Sequence, residues 1–158
     1  DRVGALEAES PTDGDGNMNA VQIWTPDTWP TALFPNFSFA ELACQETGSN
    51  MMDPTFMKKL QHLRNACGFS LKITSGFRHP EHSIEAAKEQ LGAHTYGCAV
   101  DIGVSGDKAH AVIGEAYALG FTGIGVKQEG SPWGRFIHLD TLTPEIAERF
   151  PRPTVWSY

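Results

Sequence analysis

Apolar positions along the chain fall into short blocks with two different periods. From Asp53 onward, Phe56, Met57, Leu60, Leu63 and Cys67 recur at three- and four-residue steps, which is one face of an amphipathic helix. Asp53-Pro54 supplies its N-cap and first-turn proline, and Gly68 stops it. Phe69 to Thr74 alternates apolar with polar, the period of a half-buried strand. Cys98 to Val104 is almost continuously apolar and predicts a buried strand, with a second at Phe136 to Leu139. Between them the pattern predicts a helix from Asp107 to Leu119, ended by Gly120. A glycine-interrupted strand at Phe121–Val126 and a hairpin loop at Gln128–Gly134 follow.

The remaining signals are local. Ser38-Phe39-Ala40-Glu41 is a capping box opening a short helix that ends near Cys44. Residues 82–91 are rich in Ala and Glu and predict a helix. Thr143-Pro144 predicts the start of a last short helix, after which Pro151 and Pro153 keep the chain extended. Helices and strands mix without a regular βαβ alternation. The fold class expected is α+β, a small antiparallel sheet flanked by helices. The chain divides into a polar arm (1–20), an aromatic and proline-rich extended segment (21–36), one folded domain (37–150) and an extended tail (151–158). The second of these holds Trp24, Trp29 and Phe34 among Pro26, Pro30 and Pro35. That is too apolar for a free linker, so it is expected to pack on the domain or on a partner.

Composition narrows the function classes. A chain of 158 residues is long enough for one domain with its own core. Its net charge of -7 argues against a nucleic-acid partner, which would favour a basic face. No apolar stretch approaches the roughly 18 residues of a membrane span. No basic-then-apolar signal peptide stands at its start. Of the 3 cysteines one must stay unpaired; buried free thiols are expected, with a Cys44–Cys67 bridge the alternative. No CxxC pair exists, which excludes a zinc finger.

The chemistry concentrates in two blocks. His94-Thr95-Tyr96-Gly97-Cys98-Ala99-Val100-Asp101 and Phe136-Ile137-His138-Leu139-Asp140 together offer two imidazoles and a carboxylate. That is the ligand set of a zinc site with a coordination position left for water. Two neighbouring strands could bring Asp101 and His138 to one face. Asp140 lies two residues past His138 and shares its face, where it could orient an imidazole or act as general base.

Ser75-Gly76-Phe77-Arg78, His94-x-x-Gly97-x-Ala99-x-Asp101 and Phe136-x-His138-x-Asp140 together resemble the D-Ala-D-Ala carboxypeptidase-like zinc peptidases. The likeness is nearest to the short single-domain type of phage and bacterial wall-cleaving proteins. It implies a hedgehog/D-Ala-D-Ala peptidase-like fold, Zn2+ held by His94, Asp101 and His138, and Arg78 in the cleft for an oxyanion or substrate carboxylate. It implies peptidoglycan stem peptides as substrate, and a virion or phage-infected cell acting at the bacterial wall as setting. Three positions depart from the pattern. Arg135 stands where many relatives carry a glutamate three residues before the last histidine, Gly92 where a serine is usual, and Ser83 where an asparagine is common. Asp140 and then Glu129 are the candidates for the base. The alternative expectation is a non-catalytic virion structural or wall-binding protein, meeting virion proteins through the N-terminal aromatics. His79 and His82 are candidate cleft residues or loop histidines, His62 is expected to face solvent, and His110 falls on the 107–119 helix with no evident partner.

Overall fold

The computed structural model describes residues 21–158, so the arm expected over residues 1–20 lies outside the described residues. A five-stranded sheet forms the centre, in the order β1-β2-β4-β3-β5. Its strands are β1 (Lys72–Ser75), β2 (Ala99–Gly103), β3 (Gly123–Lys127), β4 (Phe136–Asp140) and β5 (Thr154–Ser157). All pairs are antiparallel except β3 with β5, which is parallel. The helices are α1 (Phe39–Leu42), α2 (Pro54–Cys67), α3 (Ser83–Ala86) and α4 (Gly106–Ala118). The α+β class expected from sequence is the class observed.

Period-two alternation gives the sheet two unlike faces. Val100, Ile102, Ile137 and Leu139 are completely buried on one face, in a cluster with Leu60 and Leu63 of α2 and Val112 and Ala116 of α4. The other face carries Asp101, Phe136, His138 and Asp140. The caps of α2 form as read: the Asp53 carboxylate accepts from Phe56 N at 2.8 Å, and Gly68 ends the helix at φ 76°. Ser38 and Glu41 close the capping box of α1.

Two expectations are corrected. The helix expected over 82–91 stops at Ala86, because Glu85 turns its carboxylate to the N–H of Gly92 (2.8 Å) and to Lys88 and folds the following residues back. Thr143-Pro144 opens turns, with Ile146 and Ala147 N–H bonded to Thr143 O, and no helix follows. The extended end after Pro153 pairs with β3 as the edge strand β5. The thiols of Cys44, Cys67 and Cys98 are free, so the Cys44–Cys67 bridge is not formed.

The aromatic segment belongs to the core. Phe34 is fully buried, Trp29 nearly so, and Trp29 meets Trp24, Phe34 and Phe39 edge-to-face. Both indole N–H groups are satisfied, Trp24 by Met52 O and Trp29 by Phe37 O. A docking arm for virion proteins would need these rings exposed, and they are not. Phe34→Ala should therefore lower stability by about 3–5 kcal/mol, the usual loss for truncating a buried Phe. Urea unfolding measures it; a loss under about 1 kcal/mol would mean that the segment is detachable from the core.

Candidate metal centre and cleft

The pairing of β2 with β4 sets Asp101 directly opposite His138. His94 reaches them from a 3-10 turn, Ala93–Tyr96, that ends on Gly97. Gly97 has φ 75°, and a Cβ there would collide with Met51 O, so both conformation and space call for glycine. β1 approaches from the opposite edge. A bulge between Ile73 and Ser75 places Ser75 opposite Asp101, and Ser75-Gly76-Phe77-Arg78 leaves the sheet at that level. Gly76 passes so close to α1 that a Cβ would sit 2.7 Å from Leu42 O. Arg78 N–H donates to His94 O at 3.1 Å, which ties the two motif segments together.

The ring nitrogens sort themselves by partner. His94 Nδ1 lies 2.9 Å from Gly76 O, and only a donor pairs with a carbonyl, so Nδ1 carries the proton. His138 Nε2 lies 2.7 Å from Asp140 Oδ2 and donates to it. His138 has a carboxylate at each nitrogen; in the neutral ring that donates Nε2–H to Asp140, the lone pairs of His94 Nε2 and His138 Nδ1 both face Asp101 Oδ1, at 3.4 and 3.0 Å. Three acceptors converge with all their donors turned away. A tetrahedral ion with bonds of ~2.1 Å sets its ligands roughly 3.4 Å apart, so the donor set fits one divalent cation of the zinc type.

The electrostatics are strong because His94, His138 and Asp140 are buried. Burial would raise the Asp101 carboxyl, but in the metal-free protein the adjacent His138 and His94 rings, which donate to it whenever they carry a proton on that side, outweigh burial and hold Asp101 well below the usual carboxylate range. Asp140 is fully buried. Desolvation would raise it too, yet the Arg152 guanidinium and His138 hold it down at about 2. Burial pulls His138 towards its neutral form, and its contacts with Asp101 and Asp140 overcome that and raise it.

Around this centre runs a cleft of about 590 Å³, lined by Arg78, Lys88, His94, Asp101 and His138 at one end. Phe136, Arg152, Trp156 and Tyr158 form a further wall. Arg78 Nη1 and Lys88 Nζ both donate to Glu85 Oε2 at 3.1 Å, two cations sharing one buried carboxylate. Arg78 and Lys88 together carry one positive charge more than the Glu85 carboxylate they share.

The sequence candidates divide accordingly. His94, Asp101, His138 and Arg78 meet at the cleft. Asp140 stands behind His138 with both oxygens engaged and is not on the cleft wall, an arrangement suited to orienting the imidazole. Glu129 is exposed in the β3–β4 loop, away from the cleft. Arg135, in the position of the expected glutamate, turns its guanidinium to Gly130 O. His82 is buried as the N-cap of α3 and His79 is half-buried, with neither on the cleft wall; His62 and His110 are exposed. Sequence reading missed Glu85, Lys88, Arg152 and Trp156. The three-residue spacing of Glu85 and Lys88 was a usable signal, whereas Arg152 and Trp156 lie beyond the motifs.

An α+β sheet with an open three-acceptor cleft on its polar face defines a candidate metal-binding hydrolase domain. The family model described as Peptidase M15 matches residues 35–140, more than half of the chain, and the chain belongs to that family. Peptidases of this family are zinc-dependent. No curated protein matches the chain.

Acid unfolding of the metal-free protein tests this charge network. The folded-state pKa of Asp140, about 2, lies below its unfolded value of about 3.9, so its stabilisation is present above pH ~4 and lost as pH falls towards 2. That shift corresponds to about 2–3 kcal/mol, and Asp101 adds to the same limb. Asp140→Asn should flatten the fall in stability between pH 4 and 2. An unchanged slope would mean that Asp140 is not held in this way.

Proposed function

We propose that the chain is a zinc-dependent peptidase hydrolysing peptidoglycan stem peptides, of the D-Ala-D-Ala carboxypeptidase or endopeptidase type. The observation that carries this reading is the convergence of His94 Nε2, His138 Nδ1 and Asp101 Oδ1 at the floor of a cleft open to a short peptide. Zinc held by these three residues would supply a polarised carbonyl and a water ionised near neutral pH. Arg78 and Lys88 suit a substrate carboxylate or the charge developing on the carbonyl oxygen, because together they exceed the charge of Glu85. Phe136, Trp156 and Tyr158 offer an apolar wall to the short side chains of a stem peptide. Asp140 holds the His138 tautomer and leaves proton transfer to other groups.

Among the described residues lining the cleft, Asp101 is the one carboxylate. A positioned general base contributes about 10²–10⁴ in rate, so slow turnover is the expectation. That same observation favours a second reading, binding to the wall peptide without turnover. The setting proposed is a phage-borne or virion-borne lysin at the bacterial wall, drawn from the resemblance of the motifs.

Digestion of purified peptidoglycan should release free amines that disappear with a chelator and return with zinc. Arg78→Ala should lower kcat/KM about 10²–10³-fold, and His94→Ala should abolish both metal uptake and release. Stoichiometric zinc with no amine release would favour the binding protein, and absence of metal uptake would overturn both.

A further inference from the structure

Residues 35–140 carry the family match, yet the polypeptide beyond them reaches the innermost layer of the site. Arg152 grips Asp140 with a two-pronged fork: Nε donates to Oδ1 at 2.9 Å and Nη2 to Oδ2 at 2.7 Å. Leu142 N–H donates to Oδ1 at 3.2 Å, and His138 Nε2 to Oδ2 at 2.7 Å. Four donors leave the Asp140 carboxylate one orientation. The guanidinium is fixed in its turn, by Pro151 O at 2.8 Å and by the rings of Phe150 and Trp156, whose centroids lie 5.3 and 5.0 Å away.

β5 completes the enclosure. Its pairing with β3 sets Trp156 beside Gly125, which itself stands opposite His138. The indole lies over that glycine, where a Cβ would come within 2.7 Å of it, and tilts onto the His138 ring at 5.2 Å. Gly123 makes the corresponding space for the Asp140 carboxylate. The two glycines of β3 thus sit where Trp156 and Asp140 need room.

We propose that Arg152 is a positioning residue for the metal centre: acting through Asp140, it fixes the His138 ring so that Nδ1 faces His94 Nε2 and Asp101. The inference rests on the metal-centre reading above and deepens it, making the segment after Phe150 part of the site. A ligand imidazole without its outer-shell acceptor typically loses about 10–100-fold in metal affinity. The fork matters as much as the charge, because an ammonium cannot give the two oxygens the parallel, coplanar pair of bonds that a guanidinium does.

The test compares the full chain with Arg152→Gln, Arg152→Lys, Asp140→Asn and the double variant Asp140→Asn/Arg152→Gln. Zinc affinity is read by competition with a chromophoric chelator and the coordination geometry by the visible spectrum of the Co2+-loaded protein. Arg152→Gln should bind zinc about 10–100-fold more weakly with an altered Co2+ spectrum, and Arg152→Lys should recover only part. The double variant should bind no worse than Asp140→Asn, since both changes cut one chain of contacts. Wild-type affinity and spectrum in folded Arg152→Gln would overturn the proposal, as would additive losses in the double variant. If Arg152→Gln does not fold, Arg152→Lys decides by the same two readouts. If the wild-type chain takes up no metal, the metal-centre reading falls separately. Long-range ¹H–¹⁵N spectra of the metal-free protein at alkaline pH then decide for Arg152. Loss of the Nε2–H tautomer of His138 in the variant supports its role, and retention overturns it.

Discussion

The antiparallel register of β2 with β4 puts Asp101 opposite His138, and the rest of the site is arranged around that pair. A slip of one residue would turn Asp101, His138 and Asp140 into the core and bring Val100 and Leu139 out. The register is held by the apolar face, where Val100, Ile102, Ile137 and Leu139 are all fully buried, so the burial that stabilises the fold also aims the polar groups. Gly76, Gly97 and the bulge in β1 then bring Arg78 and His94 to the same level.

Isolated charges in such a place would be costly, and two of the buried carboxylates here are paired with cations. Asp140 is balanced by Arg152 and His138, and Glu85 by Arg78 and Lys88. What stays unbalanced is the meeting of two imidazole lone pairs with the Asp101 carboxylate, an arrangement that repels itself unless a proton or a cation sits among them. The protein thus keeps its electrostatic tension at the one point where a metal would relieve it.

The parts legible in the sequence were those set by neighbours in the chain. Asp53-Pro54 and Gly68 bounded α2, Ser38 and Glu41 marked α1, and the His-x-x-Gly-x-Ala-x-Asp spacing brought the metal candidates together because a turn and a strand follow directly from it. What failed was governed by distant partners. Helical propensity over 82–91 lost to Glu85, whose carboxylate answers Arg78, Lys88 and the N–H of Gly92. β5 is a short parallel edge strand following Pro153, and only β3, some thirty residues earlier, makes it a strand at all. Arg152 carried no local signal because its partner is reached by tertiary folding. Asp140 was rightly placed beside His138 by strand periodicity, but its enclosure could not be read without Arg152.

The position of β5 after the other four strands orders assembly in time. Synthesis runs from the N-terminus, and the first four strands are complete once Asp140 has emerged. Until Arg152 and Trp156 follow, Asp140 has no guanidinium to hold it and one side of the His138 ring stays bare. A nascent polypeptide can therefore build its scaffold before it owns a finished centre, and the capacity to coordinate an ion matures after the first four strands.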